Sequence, residues 1–548
     1  MEDLAFLSKF IVIGGCLLHK LRSLFLLLLC LVLPLSTFSG CAPNDEPPTI
    51  ALVPLDSRPC NTQYPLLLAQ TEAASLLLPP EEDMDNFLDN ADSEALWDWL
   101  ETASENADDL VIFTNSLFCG GLIASRSSGA YDDIEDDLER LETLCNNFKK
   151  DSHHSITVIQ VLPRLTPNQF DDELYPYVDA LTAYGEAWDK ADAAGNAAPA
   201  SAANVPADAL EEYRALHEKS ADLAESLNNL ASEGLIDHLI ISQDDGDVNC
   251  PANITFRHLA SNKADNTSLI HGADELAMLL VSDLAAANLE APSVQVLYSD
   301  EDDKDQCYPY ESITLEEMTE QKLALSGLQT GSDDATATLY LHTESDDLSK
   351  TQEAIDDHDG LFALADVAST NQADPALVDT LMNSDSFDKI DAYAGWNTAG
   401  NSIGTVCATL RAIGALDARW DDLDDDEKNA AVLALYSFRA VRLGEDVCYM
   451  ADIRDTLQSD FLSAGLSDHT SAFASNAAWQ TANDRLATAY APCNQQLAAL
   501  FNGSHTLQLG SHTPQVTISD FDSTASFPWA RSFEVKITPT MTLQLASS

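Results

Sequence analysis

The stretch IALVPLDSRPCN, Ile50 to Asn61, sets the pattern that the rest of the chain repeats: a short unbroken apolar run stops at a cluster of polar and charged residues. The same form recurs in LVIFTNSLFCGG (Leu110 to Gly121), ITVIQVLPR (Ile156 to Arg164), LIISQDDGD (Leu239 to Asp247), SLIHGADE (Ser268 to Glu275), VQVLYSD (Val294 to Asp300) and IDAYAGWNTAGN (Ile390 to Asn401). Apolar runs without alternation are the mark of parallel strands buried on both faces, and helix-like stretches separate nearly all of them. ASLLLPP (Ala74 to Pro80), TLYLHT (Thr338 to Thr343) and LFALADVA (Leu361 to Ala368) bring the candidate strands to about ten. That number suits a barrel of eight with extras, or two doubly wound sheets. The expected fold class is α/β: a TIM-barrel-like (β/α) domain with a helical insertion, followed by a helical region and a small C-terminal β element. In such sheets the carboxyl ends of the strands collect the chemistry, so polar clusters at the end of run after run imply one shared site.

Flanking segments complete the organisation. Lys9, Lys20 and Arg22 precede an apolar run from Leu24 to Leu35, and STFSGC leads into Cys41. The apolar core is too short for an ordinary spanning helix, and the whole resembles a bacterial lipoprotein signal over 1–40. Cleavage before Cys41 would leave that cysteine acylated, holding an exported protein on the outer face of the cytoplasmic membrane. Phe38 stands where an aliphatic residue is usual, which leaves cleavage by ordinary signal peptidase, or retention of the segment as an anchor, as alternatives. Residues 41–48 form a tether, 49–415 the barrel-like domain with an Ala-rich helical insertion at 171–234, 416–502 a helical region and 503–548 the β element.

Composition excludes some partners. With 27 basic and 90 acidic residues the net charge is -63, a field that repels nucleic acid. Loss of Cys16 and Cys30 with the signal and lipidation of Cys41 leave eight of the eleven cysteines, an even number in an exported chain, with no CxxC pair to hold zinc. The motifs require no cofactor and no metal, and GxSxG, P-loop and GxGxxG signatures are absent.

The strand ends carry the candidate chemistry. Asp56 and Arg58 stand two apart, with Asn61 following, and can grip a polyol or carboxylate together or form a structural ion pair. Asn115, Arg126 and Arg164 follow later runs. Gln243 leads into Asp244 and Asp245, which share one pocket only if the strand has ended between them. Two close carboxyls repel, one pKa rises, and an acid then sits beside a base, as glycosidic cleavage requires. A metal-binding cluster or a plain acidic turn is the competing interpretation. Asp274 and Glu275 sit at a helix start, where capping also explains them. His271 with these acids could hold a divalent metal, though no HxH or HExxH spacing supports it. Trp396, Asn397 and Asn401 offer an indole for stacking on a sugar face and amides for its hydroxyls, or a buried Trp with capping Asn.

PLDSRPCN, CGGLIASR, LPR, SQDD, GADE, AGWNTAGNSIGT, YSFRAVRLGEDVCY and FPWARSFEVKI, in that order, resemble the bacterial domain-of-unknown-function family numbered 4127, from about residue 50 to residue 537. The resemblance matches the family's carboxylate pair to Asp244 and Asp245, its GADE to Gly272 through Glu275 and its WNTxGN to Trp396 through Asn401, and implies membership without a reaction. The leading expectation is a surface-anchored glycoside hydrolase acting on an amino sugar, with Asp244 and Asp245 catalytic and the other residues gripping a small-molecule or glycan substrate. A metal-dependent hydrolase, or a lipoprotein that binds a sugar or peptide without turnover, is the alternative.

Overall fold

The computed structural model describes residues 47–150, 154–331, 334–343 and 348–546. The expected signal peptide, Cys41 and the tether up to residue 46 lie outside the described residues. All ten apolar runs form strands: Thr49–Val53 (β1), Ser75–Leu77 (β2), Asp109–Phe113 (β3), Ser155–Leu162 (β4), His238–Gln243 (β5), Thr267–His271 (β6), Ser293–Tyr298 (β7), Ala337–His342 (β9), Leu361–Asp366 (β10) and Ala392–Ala394 (β11). The two-residue Gln329–Thr330 (β8) adds an edge strand.

A single closed barrel is not what the pairing gives. The strands divide into a six-stranded parallel sheet, β2-β1-β3-β4-β5-β6, and a five-stranded parallel one, β11-β10-β9-β7-β8. Counted from its other edge the second sheet runs β8-β7-β9-β10-β11, so both halves use one order, with the second strand outside the first and the rest in succession. A barrel winds in one direction throughout. Here the chain reverses after the first crossover of each half, which places helices on both faces of an open sheet.

The helices Gln63–Thr71, Leu276–Ala285 and Ala399–Arg419 pack on one another, Leu276–Ala285 also on β1 and β3, and Ala399–Arg419 on β9, β10 and β11. They form a layer shared by the two sheets. Every residue of the last helix from Ala399 to Leu416 is buried, as its apolar and small composition on all sides requires. Thr398 starts it with a capping box to Asn401. On the far face of the first sheet Ser93–Ala103 packs against β1 and Ala207–Ser232 against β4 and β5. The 171–234 region therefore contains the crossover between β4 and β5. Its other helix, Val178–Ala193, packs on Pro251–Ala260 and builds a small cluster with Leu174, Leu181, Tyr184, Leu210 and Tyr213.

Beyond the shared layer come Asp425–Arg442, a π-helical segment Leu443–Ile453, Arg454–Ser463 and Asn476–Phe501. An antiparallel meander of Gly503–Thr506 (β12), Gln515–Ser526 (β13) and Lys536–Leu545 (β14) closes the chain. Its inward residues Val516, Ile518 and Ile537 join the same core cluster as the second sheet, so helical region and β element are one body with it. Cys448 and Cys493 form a disulfide, and the six other described cysteines are free, with Cys307 alone exposed. Among the described residues no helix is long and apolar enough to cross a membrane.

Candidate functional site

The carboxyl ends of both sheets face one polar cavity of about 340 Å³. The first sheet supplies Arg58, Arg126, Arg164, Gln243, Asp244, Asp245 and Asp274 from the segments after β1, β3, β4, β5 and β6. The second supplies Tyr310, Glu311 and Ser312 after β7 and Asn397, Thr398 and Asn401 after β11, while Arg531 and Phe533 reach in from the segment before β14.

Strand β5 ends at Gln243, so the alternation that would send neighbouring side chains to opposite faces no longer applies at Asp244 and Asp245. Both line the cavity. Their surroundings differ. Arg126 Nη2 donates to Asp244 Oδ2 at 2.5 Å, and Arg164 Nη1 stands 3.6 Å from Asp245 Oδ2. Burial works against the Asp244 carboxylate, but Arg126 and then Arg164 outweigh it and hold its pKa below the usual value. Burial, with the Asp244 charge added, pushes Asp245 up to about 6.

Arg58 is a clamp rather than a free grip. Its Nε and Nη2 donate to Asp56 Oδ2 at 2.8 and 2.6 Å, and its Nη1 and Nη2 to the two Asp274 oxygens at 3.1 and 2.6 Å. Asp56 lies fully buried behind it, held also by Asn61 Nδ2 at 2.9 Å, so Asp56 and Asn61 support the cavity wall without lining it. Trp529, whose indole donates to Ser57 Oγ at 2.8 Å, stacks under both Arg58 and Arg531 with centroid distances of 5.4 and 4.8 Å.

Beneath Asp274 runs a second buried pair. Glu275 and Lys322 have side chains fully out of solvent, 2.5 Å apart, and Asn401 Nδ2 donates to the other Glu275 oxygen at 2.5 Å. Lys322, from the helix Leu315–Leu325 of the second half, also donates to the His271 carbonyl. Gly272 makes this approach workable: its φ of +102° disfavours any other residue, and a Cβ there would meet the Glu275 carboxylate and the Lys322 ammonium. Glu275 is thus part of the join between halves, not of the cavity lining.

Two other expected contacts fall elsewhere. Trp396 is 5 % exposed, its indole donating to Thr405 Oγ1 at 3.0 Å within the core, so it offers no stacking face to the cavity. Asn115 spans β3 and β4, donating to the Val161 carbonyl at 2.9 Å and accepting from its N–H at 2.8 Å. Asn401 lines the cavity, but its oxygen is engaged by Asn397 at 2.7 Å and by the Thr398 cap. Gln243 lines it as well, with Oε1 accepting from Ser312 at 2.9 Å. His271, pushed down to about 4 chiefly by burial, contacts Gln321. Among the described residues no group of three or more His, Cys, Asp or Glu side chains is arranged to hold a metal ion.

Sequence reasoning passed over Glu311 and Tyr310. Glu311 is 7 % exposed in the cavity wall, accepts from the Gly400 N–H at 2.9 Å, and burial pushes it up to about 7 against that bond. Tyr310 is the exposed ring, 51 % open and held at φ +68°. Both sit about a dozen residues past the end of β7, too far from an apolar run for the strand-end rule to mark them.

Fold and cavity together define a two-sheet α/β protein with a charged cleft at its strand ends. The chain belongs to the family described as protein of unknown function DUF4127, whose model matches residues 50–538. No curated protein and no solved structure gives a significant match.

Proposed function

We propose that the chain is a carbohydrate-active hydrolase that cleaves a glycosidic bond in this cavity, with Asp244 and Asp245 dividing the acid and base roles. One observation supports the reading above all: adjacent carboxyls open on the same cavity in opposite electrostatic settings, Asp244 against a guanidinium at 2.5 Å and Asp245 with its nearest at 3.6 Å. An ionised carboxylate beside one whose pKa is raised to about 6 is the division such cleavage uses. In the substrate-assisted form Asp244 orients an acetamido group and Asp245 protonates the leaving oxygen, which makes an amino sugar the preferred substrate. A cavity of about 340 Å³ suits one or two sugar units. Export and attachment through a lipid on Cys41 belong to the same proposal, motivated by the lipoprotein-like signal.

The test is a screen of purified protein against chromogenic glycosides and amino-sugar oligomers, with Asp244→Asn and Asp245→Asn beside the wild type. Product release that falls by ~10²-fold or more in a still-folded variant supports the reading. Turnover abolished by a chelator would replace it with metal-dependent hydrolysis. Binding without product, unchanged in both variants, would make the protein a sugar receptor.

A further inference from the structure

We propose that the sugar recognised here carries an oxyanion, a carboxylate or a phosphate, received by Arg126, Arg164 and Arg531; the proposal rests on this cavity being the substrate site.

The chain has 27 basic residues against 90 acidic ones, yet four arginines line this one cavity. They are not neighbours in sequence. Arg58 follows β1, Arg126 closes the short turn Ala124–Arg126, Arg164 follows β4 and Arg531 arrives before β14, so the fold itself gathers them. Arg58 is fully used by Asp56 and Asp274. The other three keep N–H groups free of carboxylates. Arg126 gives one nitrogen to Asp244, and its buried Nε has no partner. Arg164 has no carboxylate closer than 3.6 Å, and its Nε and Nη2 are directed at the carbonyls of Thr166 and Pro167 at 3.1 and 3.4 Å. Those two bonds fix the plane of the guanidinium while spending none of its charge.

Carboxylates stand among these guanidiniums, but they leave buried Arg126 Nε without a partner and Arg164 with no carboxylate inside hydrogen-bond distance, and unpaired guanidinium N–H groups out of water are costly. The strain is visible at Arg164, which burial first and then the charges of Arg126 and Arg531 lower to about 10 in spite of Asp245 and Asp244. A planar or tetrahedral oxyanion supplies several acceptor lone pairs at once, which is the geometry that guanidinium forks satisfy. Arg531 pairs with Glu534, through Nε at 2.9 Å and Nη2 at 2.7 Å, and lies on the Trp529 face, which leaves Nη1 as its nitrogen for a ligand.

Calorimetric titration of the purified protein with D-glucuronate, D-glucose 6-phosphate and D-glucose tests this without requiring turnover. The expected result is binding of at least one charged sugar about tenfold or more tightly than glucose, weakening with salt. Preference for glucuronate assigns a carboxylate, and preference for the phosphate ester assigns a phosphate. Arg164→Gln should lose that advantage, with melting temperature checked separately, and Arg531→Gln supplies a second variant if the first misfolds. Equal affinity for the three sugars, absence of binding included, overturns the proposal, as does undiminished preference in both folded variants. Charged-sugar binding with no glycoside turned over would leave this inference standing and the hydrolase reading fallen. Turnover with no such preference would do the reverse.

Discussion

The two sheets share one strand order and put their carboxyl ends to different uses. In the first, five strands send charged or amide side chains into the cavity. In the second, the ends of β9 and β10 turn their polar groups on one another: His342 contacts Asp374 and Thr351 at 2.9 Å each, and Asp366 accepts from the Asp374 N–H at 2.7 Å and the Tyr393 hydroxyl at 3.2 Å. All of these are buried. Topology assigns where polar residues gather. Whether they form a site depends on what the following segments leave open: in the second half those after β7 and β11 line the cavity, and the segment after β10 adds only Asn371 to its wall.

The sharpest way to break the comparison is to cut the halves apart. Lys322→Met leaves Glu275 as an unpaired buried charge and should lower unfolding stability by about 3–5 kcal/mol in urea titration. Adding Glu275→Gln should return most of that loss. A neutral single variant would mean that the buried pair does not couple the sheets.

A pH series separates the two uses next. Asp245 has its pKa raised to about 6 from 3.8, so over that interval the folded chain keeps a proton that the unfolded chain has released. Its contribution to stability is complete below about 3.8 and lost as pH rises through about 6. Asp245→Asn should therefore gain on the wild type in melting temperature as pH rises through that window. Asp366, pushed up to about 8 by burial, should behave alike over a longer window. The difference is functional: if Asp245 is the acid, wild-type kcat/KM falls above about pH 6, whereas Asp366→Asn leaves ligand affinity unmoved.

Smaller effects separate the buried ring from the exposed one. Trp396→Phe removes the bond to Thr405 and some core volume, costing about 1–3 kcal/mol of stability with ligand affinity unchanged. Tyr310→Ala, at an exposed position, should stay within about 0.5 kcal/mol in stability and weaken sugar binding. Calorimetry showing the opposite pattern would return the stacking role to Trp396.

Burial on both faces is why so much of the fold was legible. Ile50, Val111, Ile156, Ile240 and Phe362 each sit between two helical layers, and only continuous apolar sequence meets that demand. Pairing was not legible, because a run such as Leu239 to Gln243 states that it is a central strand and nothing about which strands flank it. The choice between a barrel and two sheets lay in the reversals after β1 and β7. At the site, Asp56, Arg58 and Asp274 were found because the carboxyl ends of parallel strands are where polar side chains collect, though their mutual pairing was not visible. Trp396 was misplaced because an indole is equally at home under a helix and on a sugar face. Lys322 reads as an ordinary helical lysine until Glu275 is seen beside it.

The bond from Trp529 to Ser57 spans 472 residues, and Gln63 donates to the Ile537 carbonyl across 474. Loop-closure entropy is met before such contacts give anything back, so they are expected to form after the locally wound βα units have found their sheets. Trp529 also carries the stacked faces of Arg58 and Arg531. Refolding should accordingly show two clocks: strand and helix signals recover first, and the fluorescence of a ring packed at the cleft follows on a slower phase, with ligand binding regained only at the second.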